Sequence, residues 1–234
     1  MSNNYSTSSQ RTGAYYTDPV ISSFMRIWDR ELTDNERESL LNPLIPRLVH
    51  LQDDKDLVNI RAMMAADWLI RSHTSIWFRL AEMDNQADAI ERLPEITDFS
   101  QCFQLTPILE VGLEEIKAIE CGLMKYSTWN SSKEIVKAAA GDAAQVTARN
   151  SAWTAAKETV KTLVQNSIWE LEWEATSSLA REIVLGSARV AACRATKNSM
   201  LEEVWGVVVE TFSETKKNIH ISASGLVTKM IEGG

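Results

Sequence analysis

The sequence predicts an all-α protein, built as a multi-helix bundle or a short solenoid-like array of antiparallel helices. Three observations carry this expectation. The last of the five prolines is Pro107, so the final 127 residues contain none. Proline lacks an amide donor and clashes with the preceding turn, which makes a long proline-free run permissive for helix. That run is alanine-rich, as in KAAAGDAAQVTARNSAWTAAKETVKTLV, and it holds five of the eight tryptophans. Alanine is the best helix former, and tryptophan brings a large apolar surface to helix interfaces. Finally, no segment sustains a period-two alternation; only WGVVVETF at 205–212 has appreciable strand propensity.

Taken in order, residues 1–18 are rich in Ser, Thr, Asn and Tyr without periodicity and read as a mobile N-terminal tail. A helical front half is expected over 19–93. Its first helix covers Val20–Arg30, pairing Phe24 with Ile27 and Trp28. Thr33-Asp34-Asn35-Glu36 has the form of a capping box. It opens a helix through Leu40, Leu41, Leu44 and Leu48 that Pro43 and Pro46 bend or split. QDDKD at 52–56 places acids where the next helix dipole favours them. That helix runs through Ile60, Met63, Met64, Trp68 and Ile70, and a second segment holds Ile76, Trp77, Leu80 and Met83. A short helix over 85–92 stops before Pro94.

Residues 94–106 read as a connection. Thr106-Pro107 has the form of a helix start, an N-cap followed by proline at the first helical position. The rear half, 107–234, then continues through Ile108, Val111, Ile116, Ile119 and Leu123 to about Tyr126. Ser131 and Glu134 form another capping box before the alanine-rich helix. From Trp153 the apolar positions 153, 156, 160, 163, 164, 167/168 and 171 keep the helical period, marking a core-facing stripe. Further helices are expected over 175–195, over 199–215 around Leu201, Val204, Trp205 and Val208, and over 223–231. The two halves make one compact domain.

A net charge of −8 and a pI near 5.0 disfavour binding to a nucleic-acid backbone, which needs clustered cations. Residues 1–106 carry 10 basic and 16 acidic side chains, against 14 and 16 in the remainder. The acidic front half suits a basic partner, or solubility. Three widely spaced cysteines, Cys102, Cys121 and Cys193, form no CxxC pair, so neither a zinc site nor a disulfide framework is expected, and a reducing cytoplasm fits. No signal peptide or membrane span is visible, because no apolar stretch approaches 18 residues.

Motifs for chemistry are missing. His50, His73 and His220 sit in no HExxH or ExxH pattern and read as surface or interface residues, with His50 near Asp53 and Asp54. DDKD at 53–56 fails the aspartate-rich metal spacing, since Leu57 occupies the completing position. There is no GxxxxGK[ST] phosphate loop, GxGxxG or GxSxG elbow. The expectation is a non-enzyme with no cofactor and no metal.

Two clusters point to a protein partner instead. Asp84, Asp88 and Glu91 can line one helix face as an acidic strip for a basic partner. WELEWE at 169–174 is the sharper signal. On an unbroken helix from Trp153, Trp169 falls about 180° from Val160 and Trp173 about 140° away. The two indoles would then form a patch on the back of the stripe, rimmed by Glu170, Glu172 and Glu174, the usual look of a binding hot spot. The competing expectation is that the front half packs over both rings.

RAMMAADWLIRSHTSIWFRLAEMDNQADAIERLPEI (61–96) resembles a segment of uncharacterised bacterial proteins that read AADW…R…W…RLA…A…L…LP. AGDAAQVTARNSAWTAAKETV (140–160) resembles the alanine-rich runs with periodic tryptophan that follow there. Both are similar to a class of Ala/Trp-rich helical proteins regarded as immunity proteins. That resemblance implies a bacterial, cytoplasmic, helical protein that neutralises a toxin by direct binding, and it carries over no catalytic residues. A second expectation, from another class, is a helical-bundle binder or sensor of small molecules with an apolar pocket lined by Trp68, Trp77, Met63 and Met64.

Overall fold

The computed structural model describes residues 18–48, 51, 55–125 and 131–233, and every regular element among them is helical. The expected tail over 1–17, the His50–Asp53–Asp54 cluster and the Ser131 side chain lie outside the described residues. No helix among the described residues is long and apolar enough to cross a membrane.

Helix α1 spans Pro19–Trp28 and begins with the proline-first signature. Asp18, expected in the tail, is instead its N-cap: Oδ1 accepts the Ile21 amide at 2.8 Å. Helix α2 (Asp34–Glu36) carries the Thr33–Glu36 capping box in full. A π-helical turn over Arg37–Leu41 follows, and Pro43 and Pro46 leave only a short α3, Ile45–Leu48. Helix α4 (Lys55–Asp67), a π-helical turn (Trp68–His73) and α5 (Thr74–Leu80) run on without a break, where two segments were expected. Helix α6, Asp84–Glu91, matches its expected position.

Helix α7 spans Ser100–Lys125 and so begins before Thr106-Pro107, with Pro107 in its interior. The actual start is held by Asp98, whose Oδ1 accepts the Ser100 amide at 2.7 Å, and by Gln101, whose Oε1 accepts the Thr97 amide at 2.7 Å. Cys102 and Leu105 are buried in this added stretch. Their burial opposes the cost of an internal proline, which is why the expected connection shrinks.

Helix α8 spans Ser131–Ala148 and α9 spans Ser151–Val164, with Asn150 capping the latter through Oδ1 and the Trp153 amide at 2.7 Å. Helix α10 covers Glu170–Ala195, and α11 covers Val204–Glu232 as one 29-residue helix rather than two. Val204, Val208, Phe212, Thr215, Ile219, Ala223, Leu226, Val227 and Met230 are buried along it. The inward stripe therefore never lapses in the polar text between 213 and 222, and the helix has no reason to stop.

The expected front and rear halves interleave. Helix α9 packs on α1 and α4; α10 packs on α7, α8 and α5; α11 packs on α8 and reaches α4 and α5. Trp28 and His220, 192 residues apart, share a hydrogen bond. Such long-range pairing is that of a bundle, whereas a solenoid repeat contacts only its neighbours. Helices α7 and α10 approach closely at Gly186, where an added Cβ would lie 2.5 Å from the Ile116 methyl. Helices α1, α4 and α11 are tied together by a buried ion pair, Arg61 to Asp18 at 2.6 Å, with Arg61 Nε also donating to the Met230 carbonyl at 2.8 Å.

Candidate functional site

The Trp169–Trp173 patch depends on an unbroken helix, and the helix breaks. After Val164, Gln165 is extended and Asn166 adopts φ 62°, a left-handed conformation that asparagine tolerates better than most residues. The Glu170 carboxylate accepts the Asn166 amide at 2.8 Å, and Ser167 Oγ donates to the Val164 carbonyl at 2.5 Å, closing the turn. The apolar stripe from Trp153 therefore ends at Val164, and Ile168 and Leu171 are 77% and 81% exposed. Trp173 is buried, its indole donating to the Lys157 carbonyl at 3.3 Å, and Trp169 is half-buried against the core. The two rings do not form an exposed pair. Of the expected rim, Glu170 closes the turn, Glu174 pairs with Lys157 at 2.9 Å, and Glu172 holds one carboxylate oxygen buried without a partner.

Asp84, Asp88 and Glu91 do share a face, but a cation from α5 occupies it. Arg79 reaches them at 3.5, 2.9 and 2.6 Å, and Arg92 adds a contact to Asp88 at 3.2 Å. The hydrogen bond to Glu91, followed by that to Asp88, raises the guanidinium pKa above its ordinary value. The strip is largely neutralised from within the chain, so it offers a basic partner little free negative charge.

His73 and His220 are core residues rather than surface ones. His73 Nε2 accepts from Trp77 Nε1 at 3.3 Å and faces Asn150 Nδ2 at 2.9 Å. With two donors directed at Nε2, the proton of the neutral ring belongs on Nδ1, which has no partner. Burial pushes the His73 pKa down to about 3, opposed only in part by the Asn150 contact. His220 Nδ1 accepts from Trp28 Nε1 at 3.1 Å, and burial lowers its pKa too, against the attraction of Glu36 and Glu31. The rings Trp28, Phe24, Trp68, His73, Trp77 and Phe212 follow one another at centroid separations of 5.4–6.3 Å. This is a packed aromatic spine. No group of three or more metal-ligating side chains exists among the described residues.

Two cavities stand out among the described residues. One, of about 270 Å³ and lined by apolar atoms, lies where α7, α8 and α10 meet, and its Glu120 and Arg189 neutralise each other at 2.6 Å. Cys193 borders it, with burial raising its thiol pKa and so holding it protonated. The other, of about 230 Å³, lies between the α8–α9 junction and α10, lined by Arg149, Asn150, Trp153, Arg181, Val184 and Leu185 among others. Trp68, Trp77, Met63 and Met64 line neither. Trp68 and Trp77 are buried core residues of the aromatic spine.

Among the described residues, the exposed tryptophan is Trp205. It is 54% exposed, beside Met200 at 58%, Leu201 at 47% and Val209 at 41%. Trp205 and Val209, four residues apart, lie along one face at the start of α11, with Leu201 in the 3-10 turn over Leu201–Glu203 that precedes it, while Val204 and Val208 turn inward. Glu202, Glu203 and Glu210 are exposed around them. The sequence reading centred a helix over 199–215 on Leu201, Val204, Trp205 and Val208 without separating its faces. The signal it passed over is that the run 200–209 has more apolar residues than one helix face can bury. Compared with known protein families, curated proteins and solved structures, the chain matches none.

Proposed function

We propose that this chain is a non-enzymatic helical interaction module whose binding face is Met200, Leu201, Trp205 and Val209. One observation carries the reading: four large apolar side chains stand exposed within ten residues, centred on a tryptophan and rimmed by Glu202, Glu203 and Glu210. Contiguous apolar patches rimmed by polar groups mark interaction sites, and tryptophan dominates hot-spot energetics. The acid rim and the net charge of −8 favour a partner that is apolar at its centre and basic at its edge. Among such modules, an immunity protein that neutralises a bacterial toxin by direct binding is the specific role proposed, supported by the sequence resemblance in 61–96 and 140–160.

The test is reciprocal capture. The tagged protein is used to isolate a partner from its host, the partner is purified, and the complex is measured by titration calorimetry. Trp205→Ala and Leu201→Ala each weaken it by about 2 kcal/mol or more, roughly thirtyfold. Affinity unchanged in both variants removes this face from the proposal.

A further inference from the structure

We infer that the cavity between the α8–α9 junction and α10 binds a small carboxylate with an apolar body. The argument begins with charge. Twelve of the arginines fall among the described residues, and eight of them make ion pairs: Arg37, Arg47, Arg61, Arg71, Arg79, Arg92, Arg189 and Arg194. Arg26, Arg30, Arg149 and Arg181 do not, and two of these four line this one cavity. Its lining residues include no carboxylate. The neighbouring cavity, in contrast, holds Glu120 against Arg189 and is internally balanced. In a chain of net charge −8, two unpaired guanidiniums at one hollow are a local excess of positive charge.

The walls refine the ligand. Trp153 lines the cavity. Ala148, Val184 and Leu185 supply apolar surface. A volume of about 230 Å³ is below the span typical of drug-sized ligand pockets, so a nucleotide is too large. The chemistry that satisfies all of this is a compact acid: a carboxylate paired with Arg149 and Arg181, and a short alkyl or aryl body against Trp153 and the apolar wall. Guanidinium forks match carboxylates in a bidentate way that a hydroxyl or an amine cannot reproduce.

Hexanoate and benzoate are the probes, with hexanol, hexylamine and inorganic phosphate as counterparts. The readout is the set of tryptophan indole resonances in ¹H–¹⁵N spectra, with the Trp153 signal identified through Trp153→Phe. Hexanoate or benzoate shifts the Trp153 resonance saturably, hexanol, hexylamine and phosphate do not, and the Arg149→Gln/Arg181→Gln double variant loses at least about tenfold in affinity. Both arginines are exposed, so the double variant keeps its fold, checked by circular dichroism. Equal binding of hexanol and hexanoate overturns the inference, as does phosphate binding as tightly as the organic acids. A double variant that binds like the parent overturns it, as does a Trp153 resonance unmoved by either acid at about 10 mM, well above a millimolar dissociation constant. None of these outcomes bears on the Trp205 face.

Discussion

Lowering the pH from 7 to 5 should destabilise this fold through His73, and the size of the effect follows from the core geometry. The ring is fully buried, Nε2 receives two donors, and burial holds its pKa at about 3 against an ordinary value of 6.5. Between those two values the unfolded chain binds a proton that the folded chain refuses, so stability rises with pH across that window. It is complete above about pH 6.5 and declines as the pH falls toward 3. One such histidine costs about 2 kcal/mol at pH 5 and about 1.4 kcal/mol for each further unit, before the contribution of His220, which has the same sign. Against a typical net stability of about 5–15 kcal/mol this is readily measured. Urea unfolding followed by tryptophan fluorescence at several pH values supplies the slope, and His73→Gln, which cannot titrate, flattens it even where that variant is less stable overall. An unfolding free energy equal at pH 7 and pH 5, or an imidazole signal of His73 titrating near 6.5 in the folded protein, would refute the reasoning.

Three further outcomes are expected. Asp18→Ala strands the Arg61 charge in the core and removes the cap of α1, so it costs about 4 kcal/mol in chemical denaturation, while pairing it with Arg61→Met recovers part of the loss; a neutral Asp18→Ala would show that the pair does not tie α1 to α4. Trp173→Ala costs about 3–5 kcal/mol because the ring is buried, whereas Trp205→Ala stays within about 0.5 kcal/mol, and thermal melts of the two variants separate core from surface. Gly186→Ala forces Ile116 aside and costs about 1–3 kcal/mol, and the loss is smaller when measured in an Ile116→Ala background, which lacks the Cγ2 methyl that the new Cβ meets.

How much was legible in the sequence varies by element. The all-helical class, α6, α8 and the Thr33 capping box follow from local propensity and from side chains that bond within four residues. The α9–α10 break was visible only as Gln165-Asn166-Ser167, a polar run inside an apolar period, and the expected patch was lost with it. Trp173 and Trp205 look alike in the text, yet one is core and the other is surface. Asp18 reads as tail because its ion-pair partner Arg61 lies 43 positions away, and Arg61 is held in turn by the Met230 carbonyl, 169 positions further along the chain.

The sequence by itself determined that the chain is helical, acidic overall and without a recognisable catalytic motif, since composition and short-range periodicity are properties of local text. Only the tertiary structure decided which tryptophans are buried, which acids are already paired and which arginines are left unpaired at a cavity. Those facts depend on contacts between helices far apart in the chain, and no local pattern encodes the meeting of Trp28 with His220 or of Asp18 with Arg61.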